Sequence, residues 1–296
     1  MSDADTAPSI GNDITLLVAQ TNSSNTHQSN IDALEKLVEQ AQAKQVDMLC
    51  LPEASGLMNQ DAATAQLTIC EEHLDPYLEA CQSLARRFNI WIHNGSTPVL
   101  GPEGKPVNRT HLINNKGQVV ARYDKIHLFD IYLADGKDRL ESSRYSAGTQ
   151  GVVVDTPWGR MGLTICYDLR FPKLYRDYAQ AGARIVFAPS AFTRYTGRAH
   201  WEALLRARAV ENACFMVAAA QTGEHDDNRK TYGHSMVVHP WGEVMLDAGD
   251  AVQAQVVSLN LAQADEMRRK IPSLNHSSEY LIRDYTYTQA SRSLKL

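Results

Sequence analysis

Two periods of apolar and polar residues alternate along this chain. The run ITLLVAQ over residues 14–20 is continuously apolar up to its end, which predicts a buried strand, and a polar loop follows to residue 29. Over 30–43 the apolar residues Ile31, Leu34, Leu37, Val38 and Ala41 fall on one helical face. A short strand over 48–51 then runs into Pro52-Glu53. A helix is predicted over 74–88 and a strand over 91–97. Strands over 109–114 and 118–123 form a hairpin around Asn115-Lys116-Gly117.

The second half repeats the theme. Strands are predicted over 152–156 and 160–165, a helix over 173–180, a strand over 185–189, a helix over 200–212 and a strand over 215–219. Further strands cover 235–238, 243–246 and 253–259. Pro157-Trp158-Gly159 and Pro240-Trp241-Gly242 each join two strands, a weak hint of internal two-fold character. Hairpins mixed with strand–helix–strand units imply an α/β protein with mixed sheets and helices on their outer faces. No shift in composition marks a boundary before Leu261, so we expect one domain over 13–261. A disordered leader over 1–12 would precede it. A polar C-terminal arm over 262–296, carrying Tyr280, Tyr285 and Tyr287, would follow and cover the body or reach a neighbouring subunit.

Composition narrows the class. The chain has 296 residues, 44% of them hydrophobic and 21% charged, with a net charge of −5. That is ample for a large core, and no basic patch interleaved with aromatics points to nucleic acid. Five scattered cysteines (Cys50, Cys70, Cys81, Cys166, Cys214) form no C-x-x-C pair, so neither a disulfide framework nor a metal site is expected. A reducing, cytoplasmic setting fits that usage. No apolar run is long enough to cross a membrane, and no membrane partner is expected.

The candidate chemistry gathers at strand ends. The run Met161 to Ile165 stops at Cys166, and the polar turn Asp168 to Pro172 leads into a helix. A nucleophile is well placed on such a strand-to-helix turn, although a lone cysteine in a soluble chain is more often a buried thiol. Glu53 follows an apolar strand, and Pro52 before it fixes the local backbone. Lys125 lies just past a hairpin, followed by Ile126 and Leu128 with His127 between. A thiol, a carboxylate base and a fixed cation would together supply what thiol-dependent amide cleavage needs. His234, in Gly233-His234-Ser235, is the rival base, and spacing does not choose between it and Glu53.

Three segments in order, Leu51-Pro52-Glu53, Tyr123-Asp124-Lys125-Ile126-His127-Leu128-Phe129 and Cys166-Tyr167-Asp168-Leu169-Arg170-Phe171-Pro172, resemble the signature segments of the nitrilase superfamily of carbon–nitrogen hydrolases. The resemblance spans about residues 14–261. It implies a four-layer α-β-β-α sandwich, with Cys166 as nucleophile, Glu53 as base, Lys125 as oxyanion stabiliser and Glu141 as a second glutamate. It implies no metal or organic cofactor, a small-molecule amide substrate, and a homodimer or larger homo-oligomer. Within the superfamily, Ser190-Ala191-Phe192-Thr193, Thr196-Gly197-Arg198 and Tyr232-Gly233-His234-Ser235-Met236 resemble the Nit-type amidases, with Arg198 departing from the expected pattern. Two activities would be compatible: hydrolysis of deaminated glutathione, which is favoured, and omega-amidase action on α-ketoglutaramate and α-ketosuccinamate. Tyr167, Arg170, Phe192, Thr193, Arg194, Thr196 and His127 are the expected substrate-binding residues. Arg170 is weighed equally as a substrate clamp and as a turn brace, and Glu202 as a structural residue or a brace for Lys125. Silent scaffold and redox-sensor readings, the latter through Cys214, stand as alternatives.

Overall fold

The computed structural model describes residues 11–59, 61–132, 139–226, 228–276 and 278–285. Most of the expected leader, and the end of the arm with Tyr287, lie outside them. The first half comprises β1 (Asp13–Gln20), α1 (His27–Ala43), β2 (Met48–Cys50), α2 (Ala62–Thr68), α3 (Pro76–Phe88), β3 (Trp91–His93), β4 (Thr97–Leu100), β5 (Pro106–Ile113) and β6 (Val119–Asp124). A small pair, β7 (Asp130–Ile131) and β8 (Arg139–Leu140), leads to β9 (Val152–Thr156), β10 (Gly159–Leu163), α4 (Pro172–Gln180), β11 (Ile185–Phe187), α5 (Arg194–Asn212) and β12 (Phe215–Ala218). A second small pair, β13 (Thr222–Glu224) and β14 (Lys230–Tyr232), precedes β15 (Met236–Val238), β16 (Val244–Asp247), β17 (Gln253–Asn260) and α6 (Ala262–Lys270).

Apart from the two small pairs, the strands form two large sheets. The first runs β17-β1-β2-β3-β5-β4, with β6 also paired to β5, and the second runs β16-β15-β12-β11-β10-β9. Each has a parallel triplet at its centre, β1-β2-β3 and β10-β11-β12, flanked by antiparallel strands. The two-fold hint thus reappears as a repeated sheet pattern. The two Pro-Trp-Gly turns lie at opposite edges of the second sheet rather than one in each sheet.

Period-two alternation decides what each face buries. Ile14, Leu16, Val18, Met48 and Cys50 join the core shared with the second sheet, whereas Leu17, Ala19, Leu49 and Ile92 pack beneath Leu34 and Val38 of α1 and Leu78 and Cys81 of α3. Across the inter-sheet space His93 stacks on Phe187 at 4.5 Å between centroids, and Trp91 meets the edge of Trp158 at 5.5 Å. On the second sheet's other face α4 and α5 bury Tyr175, Tyr178, Trp201, Leu205 and Ala209. Full burial of side chains of this size stabilises by roughly 1.5–3 kcal/mol each. The result is an α-β-β-α sandwich.

Local chemistry explains the element ends. Asp75 caps α3 through Leu78 N (2.7 Å), Pro76 opens the helix, and Asn89 at φ 54° closes it. Helix α5 begins six residues earlier than periodicity predicts, because Thr193 accepts from Thr196 N and starts a polar first turn. The single strand expected over 91–97 is broken at Asn94–Ser96. Asn94 there binds the neighbouring strand at His111, and Gly95 turns with φ 71°. Beyond Leu261 the chain first forms α6, which buries Ala264 and pairs Asp265 with Arg184 on the body.

Candidate active site

Glu53, Lys125 and Cys166 meet at the carboxyl ends of parallel strands. Glu53 follows β2, Cys166 follows β10, and Lys125 is delivered by β6 from the antiparallel flank. The chain returns sharply after β10, and Cys166 sits in the left-handed region at φ 49°. That conformation is costly for a residue with a Cβ and persists only where the surroundings impose it. Here Cys166 N donates to Pro189 O (2.9 Å) and Asp168 N to Ile165 O (3.1 Å).

The buried Lys125 ammonium lies between two carboxylates. Nζ donates to Glu53 Oε1 (2.9 Å) and to Glu141 Oε2 and Oε1 (2.9 and 3.1 Å). Glu141 Oε2 also accepts from Phe129 N (2.6 Å), so it holds the loop beyond the lysine as well as the lysine itself. Asn108 donates to Glu53 Oε1 (3.0 Å), and Gln221 holds the Glu53 main-chain carbonyl (3.0 Å). The remaining carboxylate oxygen, Glu53 Oε2, is buried with no hydrogen-bond partner.

Electrostatics follow from this packing. Burial alone would raise the Glu53 carboxyl, but the charges of Lys125 and Arg229 outweigh it and hold the group below its ordinary value. Burial pushes the Cys166 thiol well up, and the Glu53 charge adds to that, against opposition from Lys125 and from the Ala191 N–H. Burial would strip the proton from Lys125, yet Glu141 and then Glu53 keep it firmly protonated. The resting site is therefore a neutral thiol beside an ionised carboxylate and an ammonium.

A cavity of about 370 Å³ opens over these groups. Its wall includes Glu53, Lys125, Glu141 and Cys166 together with Tyr167, Arg170, Phe192, Thr193 and Thr196. Two expected residues do not line it. His127 donates its main-chain N–H to Asp168 Oδ1 (3.0 Å), pairs through Nδ1 with the same oxygen (2.7 Å) and stacks on Phe171. Arg194 sits in the first turn of α5, with Nε on Thr231 O. The rival base His234 bonds Asp247 through Nδ1 (2.9 Å), stacks on Tyr232 and is absent from the wall. Glu202 pairs with Arg206 on the exposed side of α5 and braces nothing at Lys125. Cys214 is buried, its thiol directed to Arg208 O, and all five cysteines are free.

Arg170 lies over the Tyr167 and Phe192 rings and bonds His200, and it pairs with no carboxylate among the described residues. Residues not singled out from the sequence complete the wall, among them Asn59, Asn108, Arg144, Tyr145 and Arg229. Nothing in the local pattern marks Asn108 within a strand or Arg229 in a polar loop. Asp168 is different, since it lies inside the cysteine segment. Its fully buried carboxylate also accepts from Tyr123 Oη (2.7 Å) and Ile165 N (2.8 Å), tying the lysine-bearing strand to the cysteine turn.

Residues 16–269 match the family described as carbon-nitrogen hydrolase. The chain belongs to the carbon-nitrogen hydrolase family. This carbon-nitrogen hydrolase is 42% identical over 269 residues to the nitrilase and fragile histidine triad fusion protein NitFhit of Caenorhabditis elegans, covering 88% of this chain but only 60% of that protein. The crystal structure of NitFhit superposes with a TM-score of 0.83 at 38% identity, over 90% of this chain and 65% of that one. The deaminated glutathione amidase of Synechocystis is 39% identical over 256 residues, 83% of this chain and 92% of that protein. The crystal structure of Saccharomyces cerevisiae Nit3, of the nitrilase superfamily, has a TM-score of 0.80 at 27% identity, over 89% of this chain and 96% of that one. Among the described residues no helix is long and apolar enough to cross a membrane, and no group of three or more His, Cys, Asp or Glu is placed to hold a metal ion.

Proposed function

We propose that this carbon-nitrogen hydrolase is a cysteine-dependent amidase that cleaves deaminated glutathione to α-ketoglutarate and cysteinylglycine. The observation that carries the reading is the Lys125 ammonium held between Glu53 and Glu141 beside the buried Cys166 thiol, at the floor of a cavity of small-molecule size. Glu53 takes the thiol proton through its free oxygen as sulfur attacks the amide carbonyl. The developing oxyanion is met by Lys125 and the Tyr167 main-chain N–H. Glu53 returns the proton to the leaving amine, and a water activated by Glu53 or Glu141 hydrolyses the thioester. A neutral resting thiol beside an ionised base suits this order of events, because proton removal and attack are coupled.

The choice of a carboxylated amide is supported by charge. Lys125, Arg144, Arg170 and Arg229 on the wall outnumber the two carboxylates Glu53 and Glu141. It is supported also by relatives carrying the name deaminated glutathione amidase in Synechocystis and Homo sapiens. A cytoplasmic location and a homo-oligomer belong to the same reading. Five free thiols fit the first, and exposed Val210 and Trp241, apolar on a single chain, fit the second. The test is side-by-side turnover of deaminated glutathione and α-ketoglutaramate, with intact-mass detection of a thioester. The expected result is preference for the first, with both turnover and adduct lost in Cys166→Ala. A strong preference for α-ketoglutaramate would overturn the substrate, and a persisting adduct would overturn the nucleophile.

A further inference from the structure

Arg229 lies on the loop between β13 and β14, a segment whose sequence gives no functional signal. Its side chain lines the same cavity as Cys166 and Glu53. It pairs with no carboxylate among the described residues. Nη2 donates to Ala191 O (2.7 Å), while Nε is buried with no partner. Arg229 as a whole is half-buried, but its Nε is shielded from water, and a buried donor left unmet is unfavourable unless something else satisfies it.

The loop that carries this arginine is built to hold it still. His225 N donates to Arg229 O (2.9 Å), and the His225 ring bonds Ser23 O (3.0 Å) and Thr231 Oγ1 (2.8 Å). Asp226 Oδ2 accepts from Ser24 Oγ (2.8 Å) and Asn25 N (2.9 Å). A rotamer-rich side chain on a pinned loop, tethered through Nη2, facing the Glu53 charge and with Nε unmet, is preorganised for a ligand. Its tether also fixes the distance scale. Ala191, whose carbonyl holds Arg229, is the residue whose N–H reaches the Cys166 sulfur. Arg170 lines the same cavity with its head group bonded to the exposed His200.

We propose that Arg229 binds the carboxylate on the acyl side of the substrate. The proposal rests on the amidase reading above. In an α-ketoglutaryl amide the acyl carboxylate lies fewer bonds from the scissile carbon than the glycine carboxylate of the leaving group. The arginine anchored beside the nucleophile matches the nearer charge, and Arg170 is left for the farther one. A guanidinium–carboxylate contact would use the Nε donor now unmet.

The experiment compares deaminated glutathione with 4-oxopentanoyl-cysteinylglycine, which keeps the leaving group and the ketone and lacks only the acyl carboxylate. For the wild type, Arg229→Lys and Arg229→Met, the ratio of kcat/KM between the two amides is measured. The expected result is a ratio falling roughly 10- to 100-fold in Arg229→Met, mainly through KM, with partial recovery in Arg229→Lys. An unchanged ratio in Arg229→Met would overturn the proposal, even if both rates fall together. Alkylation of Cys166 by iodoacetamide supplies a readout independent of turnover. α-Ketoglutarate should protect the wild type at least 10 times more effectively than Arg229→Met, and equal protection would overturn the proposal. Wild-type protein that hydrolyses neither amide refutes the amidase reading instead, and the protection comparison still decides Arg229. If Arg229→Met does not fold, Arg229→Gln and Arg229→Lys are read by the same criteria.

Discussion

Asp168 shows how one side chain assembles a site it does not line. Its buried carboxylate accepts from Tyr123 Oη, from the main chain and ring of His127, and from Ile165 N, joining the segments that carry Lys125 and Cys166. In Asp168→Asn an amide NH₂ must face donors it cannot satisfy, while volume is preserved. We expect a stability loss of about 2–4 kcal/mol in urea titration, and a fall in kcat larger than the change in KM. Unchanged stability with unchanged kcat would show that the clamp is dispensable. At this scale the sequence was legible for Glu53, Lys125, Glu141 and Cys166, since each sits in a recognisable segment and the structure brings them into one cavity. His127 and Arg194, also expected at the site, do not line that cavity. Both are polar residues near those segments, but the His127 ring pairs with Asp168, and the exposed Arg194 reaches Thr231 O.

Among the elements, the break between β3 and β4 matters most to the site. Gly95 at φ 71° lets the chain pass so close to the glutamate loop that an added Cβ would lie 1.9 Å from Pro52 O. Both the backbone conformation and the contact require glycine. Gly95→Ala is expected to displace Pro52-Glu53, costing about 2 kcal/mol or more and lowering kcat. Urea titration with steady-state kinetics checks this, and an alanine variant as stable and active as the parent would refute it. Strand and helix positions were largely readable because one-sided burial leaves a periodic trace. The early start of α5 was not, because a polar first turn capped by Thr193 carries no apolar stripe.

In the whole molecule, buried histidines couple stability to pH. His93 stacks on Phe187 between the sheets, and burial, reinforced by the nearby His111, depresses its pKa to about 3. With a folded pKa below the unfolded value near 6.5, the unfolded chain binds the proton first. Stability should therefore fall as pH drops from about 6.5 towards 3, by up to about 1.4 kcal/mol per pH unit for one such group. His111, also depressed by burial, adds to this slope. Glu72 acts lower. Burial would raise its carboxyl, but His111, Arg122 and Arg109 hold it far below the usual range, so its contribution is lost only as pH falls below about 4.5. His93→Phe should keep the ring stack and flatten the slope between pH 6.5 and 4.5. Urea titrations at pH 7, 6 and 5 test this, and an unaltered slope would clear His93 of the role.

The sequence by itself determined the alternation of strands and helices, the α/β class and the three segments that bear the thiol, the carboxylate and the lysine. Those features are local: periodicity records which face is buried, and a strand end followed by a polar turn records where a side chain can emerge. Only the tertiary structure decided which polar residues share a cavity. Arg229 and Asn108 reach it from segments dozens of residues away from Cys166 and Glu53, and no local pattern encodes a partner that arrives from elsewhere in the chain. It also turned Cys166 from one buried thiol among several into the residue at a left-handed turn beside an ionised Glu53, because neighbouring charge and backbone conformation exist only once the two sheets have packed.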